Sequence, residues 1–410
     1  MFRDIFKPFL TACFNPLDRL YLGNGRFAVA RFKLEGQNPY IIQLPETIST
    51  PRLLVFKDRV IANTERLTSY LRAVTPQAPL GHLCPHVKTH KSSYIVRFLM
   101  EQGIAAFKAT PNEVDMLARC EVEEIFVAYP LLKHDAARLV RCISSYPKTT
   151  FYVQMGSLTH AEVLRDAARV NDVRWCYFID LDVGMHRTGI QANKAFDLYT
   201  KVSRWPEFEF AGLHGYDGHI HHTDEADRLE ESQKAMGVVL DVFETFRKNG
   251  VEVSRVMTSG SISFQTDFEI LYNQIGTETL VQVSPGNWIY WDSGYDAIIP
   301  GQFEIAAAIL AQVIDVFGAN RLTLNLGHKR WGADRGPVER FSPESLRVVS
   351  FNEEHTVLES TDHQKYAIGD YVLIIPKHAC STVNLYEAFT VIGNEGQVEV
   401  PESPVDARNR

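Results

Sequence analysis

The segment Pro85–Lys91 combines two histidines with two lysines, and it follows a short apolar run of the kind that forms a buried strand. A lysine at the end of such a strand would be partly withdrawn from water. Burial favours the neutral amine over the ammonium ion, and a neutral amine is a nucleophile toward a carbonyl group. Lys88 could therefore form a Schiff base, with His86 beside it. The alternative is a basic loop that lies in water.

A second polar segment, Asp180–Gly189, follows the fifth apolar run and contains Arg187. An arginine that is fixed at a strand end can donate two parallel hydrogen bonds to a carboxylate or a phenolate. The alternative is a salt bridge from Arg187 to Asp180 or Asp182 that only shapes the loop.

Two turns of small residues follow the seventh and eighth apolar runs. Glycine allows backbone N–H groups to approach an anion closely, and barrel enzymes frequently bind phosphate with the loops after strands seven and eight. Either turn alone is a weak signal, but their positions as a pair predict a phosphate site. The candidate residues are Ser259, Gly260, Ser261, Gly286, Asn287 and the adjoining Trp288.

Near the end of the chain, His378 and Cys380 are separated by one residue. In an extended segment the side chains of residues i and i+2 share a face, so imidazole and thiolate could bind one metal ion, with zinc favoured. Two protein ligands would leave positions open for water or substrate, as a catalytic metal requires. The alternative is a buried thiol beside a surface histidine.

The segment Gly212–His222 is rich in histidine and follows the sixth apolar run. Such residues could bind a metal or move protons, or they could form a polar rim that only makes hydrogen bonds. We favour the rim for His221 and His222. His214 and Tyr216 lie nearer the predicted strand end and are the better candidates for contact with a bound group.

These residues need a framework that brings strand ends together. Between about residues 80 and 290, short apolar runs alternate with amphipathic helical stretches, which is typical of an α/β chain with a parallel (β/α)8 barrel of the TIM type. A doubly wound sheet is the alternative. The predicted strands are Leu83–Lys88, Ile104–Lys108, Ile125–Tyr129, Thr150–Gln154, Cys176–Asp182, Phe210–His214, Arg255–Ser259 and Leu280–Ser284.

After about residue 300 the pattern changes to β segments separated by turns. We expect a barrel over residues 51–299, into which the strand Pro51–Phe56 leads. We expect a mostly β domain from residues 1–50 and 300–410, and this second domain would carry His378 and Cys380.

The composition limits the function classes. The net charge of −8 argues against a nucleic-acid or anionic-membrane surface, and no apolar run approaches the roughly 20 residues of a membrane span. The cysteines are scattered without a C-x-x-C pair, which favours a reducing compartment. We expect a cytoplasmic enzyme with a small-molecule substrate.

Taken in order, these segments resemble the fold-type III enzymes that use pyridoxal 5'-phosphate (PLP), specifically the D-threonine aldolase and D-serine dehydratase branch with its alanine racemase-like barrel. The resemblance spans about residues 49–390. The motifs that carry it are Pro85–Lys91, Lys108-Ala109-Thr110, Asp180–Gly189, Ser259-Gly260-Ser261, Pro285-Gly286-Asn287, Asp334-Arg335-Gly336-Pro337, Glu353-Glu354-His355 and Pro376–Cys380.

The resemblance implies a role for each motif. Lys88 would bond covalently to PLP, Arg187 would hold the ring hydroxyl, and the two small-residue turns would bind the phosphate. His378 and Cys380 match the metal pair of the dehydratases, whereas aldolases have histidine and aspartate there. Cys380 therefore favours a dehydratase and zinc. We also expect His86, His214, Tyr216 and Trp288 to contact the cofactor, although Trp288 stands where the family usually has tyrosine.

The implied reaction is PLP- and zinc-dependent β-elimination of D-serine, or of a similar β-hydroxy D-amino acid, to a keto acid and ammonia. The alternatives are retro-aldol cleavage to glycine and an aldehyde, an amino-acid racemase, and a PLP carrier without turnover. Such carriers lack a C-terminal β domain, so the roughly 110 residues after the barrel argue against a carrier. Enzymes of this type are usually homodimers, which we also expect here.

Overall fold

The computed structural model describes residues 28–408 except 45–47, 76, 337–339 and 363–365. The first 27 residues of the predicted β domain, with Cys13, and Pro337 of the Asp334 motif lie outside these ranges. The described residues form a parallel sheet, a larger mixed sheet and the hairpin Ala28–Phe32 and Tyr40–Leu44. Among them, no helix is long and apolar enough to cross a membrane.

The parallel sheet contains seven strands that lie side by side in chain order. Their residues are almost all buried, as expected of strands covered on both faces. The strands are Ala106–Ala109, Glu124–Val127, Thr150–Met155, Trp175–Leu181, Phe208–Gly215, Arg255–Thr258 and Leu280–Val283. The helices between them and before the first are Ser93–Glu101, Val114–Arg119, Lys133–Ser145, Leu158–Asn171, Ala192–Val202, Glu225–Lys248 and Phe264–Ile275. This alternation confirms the predicted α/β pattern.

The predicted strand Leu83–Lys88 is wrong as a strand. The segment makes isolated parallel bridges instead, from Leu83 to Val283 at one edge of the parallel sheet and from His86 to Lys108 at the other. Since one short segment contacts both edge strands, the sheet is curled. A complete eight-stranded barrel stays a prediction, because the parallel sheet has only seven strands among the described residues.

The cause of the interruption lies in the sequence of the segment. Pro85 has no N–H group and therefore cannot donate to a ladder. The chain then turns over residues 87–90, and Lys91 adopts a left-handed φ of 50°. Lys88, the last residue of the segment, thus lies in a turn and is half-buried rather than fixed within a strand.

The mixed sheet has nine strands, mostly antiparallel. Arg52–Phe56 is one of them, pairing with Ala307–Phe317 and with Ala388–Ile392. The strand that we expected to lead into the barrel therefore joins the mixed sheet, and the helix Lys57–Val74 follows it. The predicted boundaries at residues 51 and 299 remain a prediction. The other strands are Arg321–Leu324, Phe341–Ser342, Leu346–Phe351, Thr356–Ser360, Tyr371–Ile374 and Val398–Pro404.

The inner face of the curled parallel sheet has two layers. The lower layer is apolar and includes Ala106, Tyr152 and Phe178. Because alternate residues of a strand share a face, the next inward positions are Lys108, Gln154 and Asp180, two residues nearer the carboxyl ends. The sequence therefore places a polar layer directly above an apolar floor.

Candidate active site

A chain of hydrogen bonds joins the polar layer. Gln154 Nε2 donates to Asp180 Oδ2 at 3.0 Å, and the other oxygen of Asp180 lies 2.7 Å from His214 Nδ1. His214 Nε2 lies 2.8 Å from Lys108 Nζ. The carboxylate at Nδ1 fixes the proton on that nitrogen, so Nε2 accepts from the lysine. All four side chains are buried.

Burial changes the protonation of this layer. It lowers the pKa of His214 to about 4, and the nearby charge of Lys108 adds to this effect. Burial also lowers the pKa of Lys108 to about 7, although Asp180 and Asp217 act in the opposite direction. His86, on the lysine segment above, has its pKa lowered well below the usual value by burial and by Lys88.

A cavity of about 530 Å³ lies above the layer. In it, the ring of Tyr216 is surrounded by three cationic groups: Lys88 Nζ and the Arg187 guanidinium carbon are each 5.1 Å from the ring centre, and Lys108 Nζ is 5.3 Å from it. These distances are within the range of a cation–π interaction. The cavity is lined by His86, Lys88, Lys108, Thr110, Ala128, Tyr129, Pro130, Leu132, Gln154, Arg187, Thr188, His214 and Tyr216.

Arg187 is not engaged by either of the aspartates that we considered as partners. Asp180 binds His214, and Asp182 binds both the ring and the backbone N–H of His186. The guanidinium lines the cavity instead. It is therefore placed to bind an oxygen anion of a molecule in that cavity.

The two small-residue turns contact each other. Ser261 Oγ accepts hydrogen bonds from the backbone N–H groups of Gly286 and Asn287, at 2.9 and 2.8 Å. The N–H of Gly260 donates to Asp217 Oδ1 at 3.0 Å. Ser259, which is buried, has a left-handed φ of 80°. The predicted turns are thus joined, and the N–H groups of Gly260, Gly286 and Asn287 donate within the protein instead of being open to an anion as expected.

The turns also adjoin the lysine segment, in a manner that fits PLP. A Cβ on Gly286 would lie 3.1 Å from the carbonyl oxygen of His86, whereas one on Gly260 would meet nothing nearer than the Tyr216 ring at 3.7 Å. Ser284 Oγ is buried and has no hydrogen-bond partner among the described residues. An amine, a guanidinium and a turn with a spare hydroxyl are the groups that a phosphorylated aldehyde needs.

The side chain of Trp288 does not line the cavity. Its side chain is buried beside the ring of Phe303, 6.3 Å between ring centres, and it is not among the residues that line the cavity. The short 3₁₀ helix Asn287–Ile289 begins directly after Gly286 and turns the indole into the core. The indole of Trp288 therefore packs in the core next to the turn, and its contact with the cofactor stays a prediction.

His378 and Cys380 meet, but not through an extended segment as expected. His378 has an extended backbone, and the helix Ala379–Val383 begins at the next residue. The two side chains nevertheless share a hydrogen bond. Cys380 Sγ also lies 3.1 Å from Thr89 Oγ1, which brings the pair beside Lys88.

His378 and Cys380 shift each other's pKa in opposite directions. Burial alone would lower the pKa of His378, but hydrogen bonds to Cys380 and Asp334 outweigh it and raise that pKa to about 9. Burial alone would raise the pKa of the Cys380 thiol, but His378 and Lys88 lower it. Asp334 Oδ2 lies 2.5 Å from His378 Nδ1. The contact thus raises the pKa of His378 and lowers that of Cys380.

This donor set fits a metal with open positions. A carboxylate on one ring nitrogen of a histidine orients the other nitrogen toward a metal, as Asp334 does for His378. In the described part of the chain, no three His, Cys, Asp or Glu side chains converge to complete a closed site. His221 and His222 are exposed, in agreement with a polar rim.

Sequence reasoning missed part of the site. Lys108 was noted within a motif but given no role, and Gln154 and Thr89 were not considered. The available signal was a polar residue closing an otherwise apolar strand, as in Ile104–Lys108. Asp334 was also overlooked as the partner of His378, because that contact joins segments distant in the chain.

Family models match two parts of the chain. The model described as "Alanine racemase, N-terminal domain" matches residues 59–290, which is more than half of the chain, and the model described as "Putative serine dehydratase domain" matches residues 306–392. The described catalytic candidates are divided between these two matches. Lys88 and the turns fall in the first, and His378 and Cys380 fall in the second.

Three curated relatives align over most of their length. A D-serine dehydratase of Dictyostelium discoideum is 23% identical over 86% of this chain and 95% of its own. A 3-hydroxy-D-aspartate aldolase of Paracoccus denitrificans is 23% identical over 88% and 93%. A D-threonine aldolase of an Arthrobacter species is 25% identical over 77% and 83%.

Solved structures share the fold. That of a D-threonine aldolase from Filomicrobium marinum has a TM-score of 0.79 at 21% identity and covers 88% of this chain and 95% of its own. That of a D-threo-3-hydroxyaspartate dehydratase from Delftia sp. HT23 has a TM-score of 0.74 at 18% identity, over 87% and 98%. The chain therefore belongs to the alanine racemase N-terminal domain family and, with its β domain, to the fold-type III PLP-dependent enzymes.

Proposed function

We propose that this protein is a PLP- and zinc-dependent lyase that converts D-serine, or a similar β-hydroxy D-amino acid, to a keto acid and ammonia. The observation that carries the proposal is the contact between Thr89 and Cys380, 3.1 Å between Oγ1 and Sγ. Through this contact His378 and Cys380, whose side chains are of the kind that bind zinc, lie next to Lys88. A reaction that removes a hydroxyl from a carbon beside an amino-bearing carbon needs both groups at one place.

Lys88 is the proposed attachment point of the cofactor. When bound, PLP withdraws electrons from the α-carbon of an amino acid that is joined to it. Once the substrate amine has replaced Lys88 on the cofactor, the freed amine of Lys88, in a turn beside the cavity, would be placed to take the α-proton on its own side of the substrate. The same amine can return a proton when the product leaves.

Other residues near Lys88 would hold and orient the cofactor. The Arg187 guanidinium would donate to the ring oxygen of the cofactor, since neither Asp180 nor Asp182 engages it. The turns at Gly260 and Gly286 would hold the phosphate.

His378 and Cys380 are the proposed zinc ligands, with Asp334 orienting the imidazole. A zinc ion held there would act as a Lewis acid toward the β-hydroxyl, which is otherwise a poor leaving group. Because only two protein side chains contribute, the ion would retain positions for the substrate and for water. Thr89, through the contact of its hydroxyl with Cys380 Sγ, would keep the sulfur in place.

The relatives support a lyase of D-amino acids. They include the D-serine dehydratase of D. discoideum and the aldolases of P. denitrificans and an Arthrobacter species. The β-elimination is favoured over retro-aldol cleavage by Cys380, which matches the dehydratase pattern. The serine dehydratase model over residues 306–392 supports the same choice.

Product identity tests the proposal. Purified protein would be incubated with a panel of D-serine, D-threonine and 3-hydroxy-D-aspartate, with L-serine as the control. A keto acid and ammonia from a D-substrate, lost on adding a chelator and restored by zinc, is the expected result. Glycine with an aldehyde would establish the aldolase reaction instead, and metal-independent interconversion of enantiomers would establish a racemase.

Two further proposals concern the cellular location and the oligomeric state of the protein. The described cysteines, Cys84, Cys120, Cys142, Cys176 and Cys380, are all free thiols, which supports a cytoplasmic location. We also propose a homodimer, as is usual for this fold type. Sedimentation of the holoenzyme would test the dimer directly.

A further inference from the structure

Two lysines, Lys88 and Lys108, line the cavity, and the proposed function uses only the first. Each amine lies within 5.3 Å of the Tyr216 ring centre. Their settings differ, because Lys88 is half-buried in a turn whereas Lys108 is 2% exposed on a strand. Lys108 is therefore a buried amine beside the reacting centre without an assigned role.

The position of Lys108 is defined from two sides. Its backbone exchanges hydrogen bonds with the lysine segment: Lys108 N donates to Pro85 O, and Val87 N donates to Lys108 O, both at 3.0 Å. Its amine is held by His214 Nε2 at 2.8 Å, and His214 is held in turn by Asp180. Lys108 is thus joined by its backbone to the segment that carries Lys88.

Burial and several neighbouring charged groups together set the pKa of Lys108. Burial opposes its protonation most strongly, Lys88 opposes it further, and Asp180 and Asp217 favour it, with a resulting pKa of about 7. Such an amine changes charge near neutral pH, which His214 and His86 beside it do not. The ionisable and charged groups around it are Cys84, His86, Lys88, Asp180, Arg187, His214, Tyr216 and Asp217.

Electrostatic coupling is reciprocal. If a charge on Lys88 opposes protonation of Lys108, a charge on Lys108 opposes protonation of the nitrogen at Lys88 by the same free energy. Coulomb interactions are stronger where burial lowers the effective dielectric constant, and Lys108, which lines the same cavity as Lys88, is 2% exposed. Arg187, by contrast, holds a permanent charge and cannot respond to pH.

We infer that Lys108 controls whether the nitrogen of Lys88 carries a proton, with His214 and Asp180 holding Lys108 in place. Lys108 is thus a positioning residue that acts through charge rather than through contact with the reacting atoms. The inference rests on the proposed function, because it requires PLP to be attached at Lys88.

The test is the absorbance of the PLP band of the holoenzyme, titrated against pH in the absence of substrate. Lys108→Met removes the charge while retaining the length of the side chain. The midpoint of the band should move up by about one pH unit or more, since the charge of Lys108 then no longer opposes protonation at Lys88. Lys108→Arg retains a permanent charge, and its midpoint should equal that of the wild type or lie below it.

Lys133→Met is the matched control, because Lys133 is an exposed lysine next to cavity residue Leu132. Its midpoint should equal that of the wild type. An unchanged or lowered midpoint in Lys108→Met would overturn the inference. If Lys108→Met does not fold, a midpoint in Lys108→Arg that is higher than that of the wild type would by itself overturn the inference.

Failure of the inference can be told from failure of the proposed function by one more variant. In Lys88→Ala, loss of the band shows that PLP is attached where we propose. If the band is lost there but the Lys108 variants titrate like the wild type, only the role of Lys108 is wrong. A band that persists in Lys88→Ala, or is missing from the wild type, overturns both.

Discussion

Thr89 Oγ1 and Cys380 Sγ lie 3.1 Å apart although 291 residues separate them in the chain. The threonine follows Lys88 directly, and the cysteine comes from the segment after the strand Tyr371–Ile374 of the mixed sheet. One hydrogen bond thus joins the proposed cofactor lysine of the first family match to the proposed metal pair of the second. Its loss should affect the metal more than the cofactor.

Thr89→Val should therefore weaken zinc binding while PLP remains attached. Valine keeps the shape of threonine and removes only the hydroxyl, and loss of such an outer contact reduces metal affinity about 10- to 100-fold. The measurement is zinc affinity by competition with a chelator, together with the PLP absorbance. Thr223→Val, at an exposed site, is the control. Equal zinc affinity in both variants would mean that the contact does not support a metal site.

Gly286→Ala should lower PLP affinity. Its Cβ would lie 3.1 Å from the carbonyl oxygen of His86, so the turn must move away from the lysine segment. We expect a decrease of about tenfold or more, equivalent to about 1.4 kcal/mol, in a fluorescence titration. Gly237→Ala is the control, because a Cβ there meets nothing within 4 Å. Wild-type affinity in Gly286→Ala would exclude the turn from the phosphate site.

Asp292→Ala should destabilise the junction between the turn and the metal segment. Asp292 is buried and accepts hydrogen bonds from Asn287 Nδ2, from Ala379 N and from Tyr295 N, at 2.8–2.9 Å. Alanine would leave three donors unpaired, at about 1–3 kcal/mol for each that stays buried, so we expect a loss of about 3–5 kcal/mol.

Urea unfolding measures this loss, and the exposed Asp197→Ala is its control, with an expected change within about 0.5 kcal/mol. A loss in Asp292→Ala no larger than that of the control would show that the junction is not stabilised by this carboxylate.

Stability should depend on pH through Lys108. Burial lowers its pKa in the folded protein to about 7 from an ordinary 10.5, so the unfolded chain binds more protons between these values. The free energy of unfolding attributable to Lys108 must then rise as the pH rises from about 7 to about 10.5. In urea titrations the wild type should gain stability relative to Lys108→Met over that range. A constant difference would show that Lys108 is not buried as a neutral amine.

Much of the site could be predicted because its signals are local. Lys88, Arg187 and the two turns each follow an apolar run, and residues at strand ends of one sheet meet at one edge. The interruption at Pro85 was equally visible, since proline cannot donate to a ladder. The prediction of a strand there overlooked that signal.

The remainder depends on register and on contacts between distant segments. Asp180 and His214 are direct cross-strand partners, and His86 bridges to Lys108, yet no local pattern specifies either pairing. The burial of Trp288 is also not visible locally, because it depends on the 3₁₀ turn Asn287–Ile289 and on packing against Phe303. Arg52–Phe56 joined the mixed sheet for a similar reason, through strands more than 200 residues away in sequence.

The central claim is that Lys88 carries the cofactor, and chemical mapping tests it most directly. The holoenzyme would be reduced with borohydride, digested and analysed by mass spectrometry, which locates the lysine that holds the reduced pyridoxyl group. We predict the label on Lys88 alone. A label on Lys108, which lines the same cavity, or on any other lysine would contradict the account.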